Sequence, residues 1–233
     1  HRDLHSFPTR RSSDLVIDGY DCGVRYMDGH IGRILGALEA KGVLDDLIVI
    51  VSSDHGENLG ELGIYGEHAT ADQITCRIPM IVRWPKVVKP GSVDAGIHAN
   101  IDLLPTLADM FGVPRRKEWD GVSFADTLRS GKNAGREDLV ISQCCHVCQR
   151  SVRFGDWLYV RTYHDGFHLF NREQLFDVVR DPHERNDMAA ERPEVCREAA
   201  WRLMNWHDDM IADRKSTRLN SNHRIRHRMQ SYD

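Results

Sequence analysis

Residues 47–56 read LIVIVSSDHG, in which five consecutive hydrocarbon side chains and two serines precede an acid, an imidazole and a glycine. Because the apolar residues are continuous rather than alternating, the run predicts a short strand that is covered on both faces. Apolar residues recur at helical spacing across residues 20–41 just before it, and Gly42 follows as a helix stop. A helix followed by a buried strand indicates an α/β fold with a mostly parallel sheet and helices on both faces.

The chain changes character after about residue 135. Before that point, a strand is predicted over residues 78–84 and a helix over residues 102–111, with Asp102 as its N-cap. After it, short β-like runs at 139–142, 149–154 and 157–163 are followed by a final helix at 193–211, and Gly155-Asp156 forms a tight turn. We therefore predict an α/β core over residues 16–135 and a smaller antiparallel α+β section over residues 136–212.

The two ends of the chain look foreign to the rest. Residues 5–15 and 213–221 read like translated sequencing adapters, so residues 1–15 and 213–233 are set aside as artefact tails. The alternative is a basic, disordered tail that binds nucleic acid. The whole chain has 31 basic and 35 acidic residues. The tails contain nine of the basic and four of the acidic residues, so 22 basic and 31 acidic residues remain, a net charge of −9. This charge predicts no nucleic-acid partner, and no apolar run approaches the roughly 20 residues of a membrane span.

Six cysteines occur at positions 22, 76, 144, 145, 148 and 196, without the paired CxxC spacing of a zinc ribbon. The cluster Cys144-Cys145-His146-Val-Cys148 fits two interpretations, a metal site or incidental thiols on a partly buried strand. The second is favoured because a zinc site usually needs another ligand pair.

Asp54 and His55 directly follow the predicted strand. Ligands of open α/β sheets collect beyond the carboxyl ends of the strands, and a tight turn at Gly56 could bring both side chains to one ion. Carboxylate oxygen and imidazole nitrogen are both ligands of divalent metals. On spacing alone, an equally good interpretation is that Asp54 caps the turn and His55 is a surface residue.

The order of several further motifs resembles the sulfatase family of the alkaline-phosphatase superfamily. The resemblance covers nearly all of residues 20–190, in the segments Tyr26-Met-Asp28-Gly-His-Ile31-Gly, Ile50-Val-Ser-Ser-Asp54-His55-Gly56-Glu57, Arg77-Ile-Pro79-Met-Ile81, Ile101-Asp102-Leu-Leu-Pro105-Thr106-Leu107, Trp119-Asp120-Gly121 and Gln174-Leu-Phe-Asp177-Val-Val-Arg-Asp181-Pro182-His-Glu184. It implies an alkaline-phosphatase-like core and a sulfuric ester hydrolase whose substrate is a sulfated small molecule or polysaccharide.

The resemblance also implies roles for individual residues. Asp54 and His55 would bind a divalent metal, usually Ca²⁺ in this family, although the softer His ligand also suits Mn²⁺ or Zn²⁺. The family places a cationic group about a dozen residues later, and no Lys lies between Asp54 and Arg77. His68 is therefore the candidate, as an anion-binding group or general acid, and a turn histidine bonded to backbone is the alternative. Glu57 and Glu61 fit two interpretations, acids that support the site residues or solvated loop acids, and the second is favoured.

The family's nucleophile is a formylglycine made from Cys or Ser in the context x-Pro-x-Arg. We predict that this chain lacks such a context, that the nucleophile and two acidic metal ligands lie upstream of Val16, and that this chain alone has no hydrolase activity. Two rivals remain: a phosphodiester or phosphonate monoester hydrolase of the same superfamily, and a non-catalytic binding domain. The resemblance further suggests a periplasmic or secreted protein.

Overall fold

The first helix and the strand after it lie side by side in the computed structural model, which describes residues 10–212. Helix α1 spans Arg10–Ala40, so the helix predicted from residue 20 is confirmed and begins earlier. Strand β1 spans Val49–Ser52. Between them runs an apolar groove of about 410 Å³ lined by Ile31, Ile34, Leu35, Leu38 and residues 47–52. β1 is therefore only half-buried, which corrects the prediction of a strand covered on both faces.

Strand β1 pairs with a strand that runs in the opposite direction. Strand β4, Met80–Arg83, lies antiparallel to it in the register Val49↔Arg83 and Ser52↔Met80. Every strand pair within residues 10–212 is antiparallel, so the predicted parallel sheet is not found in the described part of the chain. A continuous apolar run indicates burial, but it carries no information about the direction of the neighbouring strand.

The connection between these strands contains a short hairpin followed by a short helix. Strands β2, Asn58–Leu59, and β3, Tyr65–Glu67, form a small hairpin in which Asn58 pairs with Glu67. Helix α2, Gln73–Cys76, follows, and the Asp72 side chain caps it by accepting a hydrogen bond from Thr75 N–H. The hairpin and helix together fold the connection back against the end of β1.

The middle of the chain contains helices α3, Leu103–Phe111, and α4, Ala125–Ser130. The end of α3 is as predicted, with Gly112 in the left-handed conformation at φ 66°. Asp102 does not cap α3 through its side chain. Its buried carboxylate instead accepts hydrogen bonds from Ala99 N–H and Val122 N–H and pairs with Arg136. The predicted N-cap thus fastens three chain segments together.

The last section is an antiparallel sheet with a helix packed on it. Its strands lie in the order β5, Asp138–Cys144; β6, Cys148–Phe154; β7, Trp157–His164; and β8, Glu173–Asp177. Helix α5, Pro193–Ala212, packs on this sheet through Cys196, Ala199 and Leu203. The turn at Gly155-Asp156 is confirmed, because Phe154 and Trp157 pair across it. The domain boundary at residue 135 stays a prediction.

Across residues 10–212, no helix combines the length and the apolar character that crossing a membrane requires.

Two buried hydrogen bonds join the C-terminal section to the segment that enters α2. Gln149 Oε1 on β6 accepts from Ala71 N–H at 3.0 Å. Glu184 Oε1, beyond β8, accepts from Gln73 N–H at 2.7 Å. Both side chains are buried, so water does not compete for these backbone donors. The C-terminal section therefore fixes residues 71–73, which lie directly behind the loop that leaves β1.

Candidate active site

The loop that leaves β1 is pressed against the backbone of α2 at Gly56. Gly56 N–H donates to the Thr75 carbonyl at 2.8 Å. A Cβ at position 56 would lie 1.9 Å from the Ile74 carbonyl oxygen, far inside van der Waals contact. Only glycine allows this approach, and the approach fixes the residues on either side of it.

A buried polar cluster joins β2, the loop that follows β3, and α2. Asn58 Nδ2 lies 3.1 Å from Thr70 Oγ1, 3.3 Å from Asp72 Oδ2 and 3.0 Å from Thr75 Oγ1. Asn58 is fully buried and Asp72 is 1% exposed, so these bonds form in a medium of low polarity where breaking them is costly. The cluster therefore fixes the positions of residues 57 and 68, at the two ends of the hairpin.

The hairpin register brings Glu57 opposite His68. Asn58 pairs with Glu67, so Glu57, just before Asn58, lies beside His68, just after Glu67. His68 Nδ1 is 3.1 Å from Glu57 Oε2. The His68 ring stacks on His55, with the ring centroids 3.8 Å apart and the planes 18° from parallel. His55, Glu57 and His68 each offer a ligand atom within 4.8 Å of the others, and no second group of three such residues occurs within residues 10–212.

The hydrogen bond of the His55 ring determines which nitrogen is available. His55 Nδ1 lies 2.8 Å from the Gly56 carbonyl, which can only accept, so Nδ1 carries a proton and, in the neutral ring, Nε2 has the free lone pair. Histidines that bind metals commonly have their other nitrogen held in this way.

Asp54 lies beside that free nitrogen. Its Oδ2 is 3.8 Å from His55 Nε2, and its side chain is 88% exposed. Hydrogen bonds from the backbone N–H groups of Asp54 and His55 lower the pKa of Asp54, so the carboxylate is ionised at neutral pH. An anionic oxygen and an imidazole lone pair thus flank one solvent-facing position.

The stacking of the two histidines limits how they can share an ion. An imidazole lone pair lies in the ring plane, and two nearly parallel planes a stacking distance apart do not converge on one cation. The geometry therefore fits a divalent cation held by Asp54 and His55, with His68 beside it in another role. A carboxylate suits Ca²⁺ and an imidazole suits Mn²⁺ or Zn²⁺, so this pair accommodates each of them.

The structure brings the three predicted site residues, Asp54, His55 and His68, into one loop region. It overturns the prediction that Glu57 and Glu61 are solvated acids. Glu57 is bonded to His68, while Glu61 accepts from Leu59 N–H and lies 3.0 Å from His183 Nδ1. The glycines at positions 60, 63 and 66 are the sequence signal that could have predicted this hairpin and its register.

The nucleophile signature needs one correction. Over the whole chain the pattern Ser-x-Pro-x-Arg occurs once, at Ser6-Phe-Pro-Thr-Arg10. It falls in the tail set aside as foreign, and Ser6 lies outside the described residues.

Two protein-family models match this chain. The model described as "Sulfatase" matches residues 4–113, and "N-sulphoglucosamine sulphohydrolase, C-terminal" matches residues 60–206. Among curated proteins, N-acetylglucosamine-6-O-sulfatase of Bacteroides thetaiotaomicron is 30% identical over 178 residues, which cover 72% of this chain and 31% of the relative. Choline-sulfatase of Rhizobium meliloti is 27% identical over 180 residues, covering 73% and 32%. The chain thus spans about a third of the length of these relatives.

Solved structures show the same likeness. A protein in complex with its substrate D-glucosamine-2-N,6-O-disulfate superposes with a TM-score of 0.71 at 26% identity, over 83% of this chain and 40% of that one. A 2-O GAG sulfatase superposes with a TM-score of 0.77 at 22% identity, over 90% and 46% of the two chains. At that identity the second likeness concerns the fold alone.

Proposed function

Because this chain belongs to the sulfatase family, we propose that the whole protein is a metal-dependent hydrolase of sulfate esters on carbohydrates. The observation that carries the proposal is the loop after β1, where Asp54 and His55 flank one open position beside the Glu57–His68 pair. The carbohydrate class is supported by relatives named for 6-O-sulfated N-acetylglucosamine and N-acetylgalactosamine.

In this proposal Asp54 and His55 hold the cation. When bound, a divalent cation polarises a sulfuryl oxygen and stabilises the charge that develops on it. Gly56 sets the position of both ligands through its contact with α2, and the Gly56 carbonyl orients the His55 ring. The nucleophile, a formylglycine, is proposed to come from outside residues 16–212.

His68 is proposed to act on the substrate directly. With Nδ1 donating to the Glu57 carboxylate, Nε2 is the nitrogen left for the substrate. A protonated His68 would there donate a hydrogen bond to the sulfate or a proton to the leaving oxygen, while Glu57 stabilises its positive charge.

Replacing His68 with alanine in the whole enzyme should lower turnover of a sulfated sugar at least about tenfold, the low end of the effect of losing an acid–base group. The measurement is kcat for His68→Ala at pH 6 and 7. The matched control is His207→Ala, since His207 lies on α5, far along the chain from the candidate site, and pairs with the neighbouring Asp208. Unchanged turnover in His68→Ala would remove His68 from the site.

A substrate panel with the whole enzyme tests the function itself. We expect kcat/KM for sulfated amino sugars to exceed that for phosphate diesters and phosphonate monoesters by at least about a hundredfold, a difference of roughly 3 kcal/mol in activation free energy. The reverse order would support the superfamily's phosphoryl chemistry instead. Binding without turnover of any ester would support a binding domain. The periplasmic or secreted location stays a prediction.

A further inference from the structure

Three free cysteines lie at the turn between β5 and β6. Cys144 and Cys148 are register partners, the last pair of the two strands, and their sulfur atoms are 3.6 Å apart. Directly opposed residues of antiparallel strands have Cα atoms about 4.5 to 5.5 Å apart, within the roughly 4.4 to 6.8 Å that a disulfide spans. A bond between these two sulfurs therefore needs side-chain rotation and no rearrangement of the backbone.

The turn between the two cysteines is held in place from inside and outside. Val147 is 2% exposed, which anchors the turn in the interior. The backbone at Gly166 is packed so closely that a Cβ there would lie 2.5 Å from the His146 carbonyl oxygen. Cys145 is exposed within the turn and has no partner across the strands. The fold thus presents Cys144 and Cys148 to each other and leaves Cys145 apart.

We infer that Cys144 and Cys148 are a modification site, a thiol pair that closes to a reversible cross-strand disulfide by exchange with a low-molecular-weight disulfide. Nothing in the proposed sulfatase chemistry uses these cysteines, so the inference stands independently of it.

The exchange balances in two steps. The exposed Cys144 thiolate attacks one sulfur of the reagent disulfide, which breaks the reagent's S–S bond and releases one thiol. The Cys148 thiolate then attacks Cys144 Sγ in the mixed disulfide, forms the protein S–S bond and releases the second thiol. Two protein thiols are oxidised, one reagent disulfide is reduced to two thiols, and the two cysteine protons pass to the released thiolates. Cys148 is the second nucleophile because its Sγ lies 3.6 Å from Cys144 Sγ, next to its target.

The cysteine pair adjoins the contacts that support the candidate active site. The next pair along the same strands is Gln143↔Gln149. Gln143 Nε2 donates to the His68 carbonyl at 3.3 Å, and Gln149 Oε1 accepts from Ala71 N–H. A disulfide at 144–148 would tie the two strands together beside the residues that hold segment 68–71.

Peptide mapping in glutathione buffers tests the inference. The chain is equilibrated in reduced and in oxidised glutathione, its free thiols are alkylated under denaturing conditions, and it is cut with trypsin. Since Arg136 and Arg150 bracket all three cysteines, one peptide reports on the cluster. We expect three alkyl groups on it after reduction. After oxidation we expect one alkyl group, on Cys145, and a peptide two hydrogen atoms lighter.

Single variants identify the bonded pair. Cys145→Ser should keep the disulfide, whereas Cys144→Ser and Cys148→Ser should each lose it and carry two alkyl groups. All three positions lie at the surface or near it, so the variants keep the fold, and Cys22→Ser serves as a distant control. Three alkyl groups in oxidised glutathione, a stable glutathione adduct on Cys144, or a disulfide that survives in Cys144→Ser would each overturn the assignment.

Discussion

Alanine at His55, or at Asp54, is expected to lower kcat/KM of the whole enzyme on a sulfated sugar about a thousandfold, together with its divalent metal content. The Asp54 carboxylate and the His55 lone pair flank one position, so neither ligand is replaced when the other is lost. A bound cation contributes several kcal/mol of charge stabilisation, and about 4 kcal/mol corresponds to a thousandfold in rate. The measurements are steady-state kinetics and elemental analysis of the dialysed protein, with chelator-treated wild type as the reference for complete metal loss.

The control for this result is Asp46→Ala. Asp46 is an exposed acid at the other end of β1, so its loss removes a carboxylate near the same strand without touching the site. A variant at Asp54 or His55 that keeps its full metal content would show that the residue is not a ligand, whatever its activity. Wild-type metal content and rate in both variants would reduce the loop after β1 to a structural turn.

The second large effect is on stability against pH, through Glu184. This side chain is 3% exposed, its Oε1 accepts from Gln73 N–H, and its Oε2 has no partner among the described residues. Burial raises the pKa of Glu184 to about 8 from 4.5, and the Asp72 carboxylate adds to the shift. Because the folded state binds the proton more tightly, the stabilisation is complete below about pH 4.5 and is lost as the pH rises to about 8.

The free energy of unfolding should therefore fall by about 1.4 kcal/mol per pH unit across that window, on the order of 5 kcal/mol in total. Urea unfolding of wild type and Glu184→Gln between pH 5 and 8 measures it. The glutamine keeps the oxygen that accepts from Gln73 and cannot ionise, so the difference between the two proteins should follow the predicted slope. Glu191→Gln, an exposed acid, should behave as wild type. A pH-independent difference between wild type and Glu184→Gln would show that Glu184 does not titrate in this range.

Local pattern was enough to predict most of the elements. The helical spacing before Gly42, the stop at Gly112 and the turn at Gly155-Asp156 each depend on neighbours within a few residues, and each is found as predicted. The direction of the strand beside β1 was not predictable in this way. It depends on how residues 53–79 return the chain, and the apolar run 47–51 is compatible with either direction.

The candidate site likewise contains residues that the sequence predicted and residues that it did not. Asp54, His55 and His68 were found from residue type, position and family resemblance, and the structure gathers them. Glu57 was assigned to solvent because its partner lies eleven residues away, across a hairpin register that single residues do not reveal. Glu184 received no role from the sequence because its bond to Gln73 spans 111 residues. Contacts between residues so far apart in the sequence form only when the whole chain folds, and no periodic pattern in the sequence indicates them.

The two buried bonds from Gln149 and Glu184 to residues 71–73 also restrict how such chains can recombine. A chimaera joined near residue 135 would inherit the loop after β1 from one parent and both acceptors from the other. If the second parent lacked a carbonyl oxygen or carboxylate at either place, a buried backbone N–H would lose its partner, at about 1 to 3 kcal/mol each. Chimaeras that keep their function should therefore take residues 71–73, 149 and 184 from the same parent.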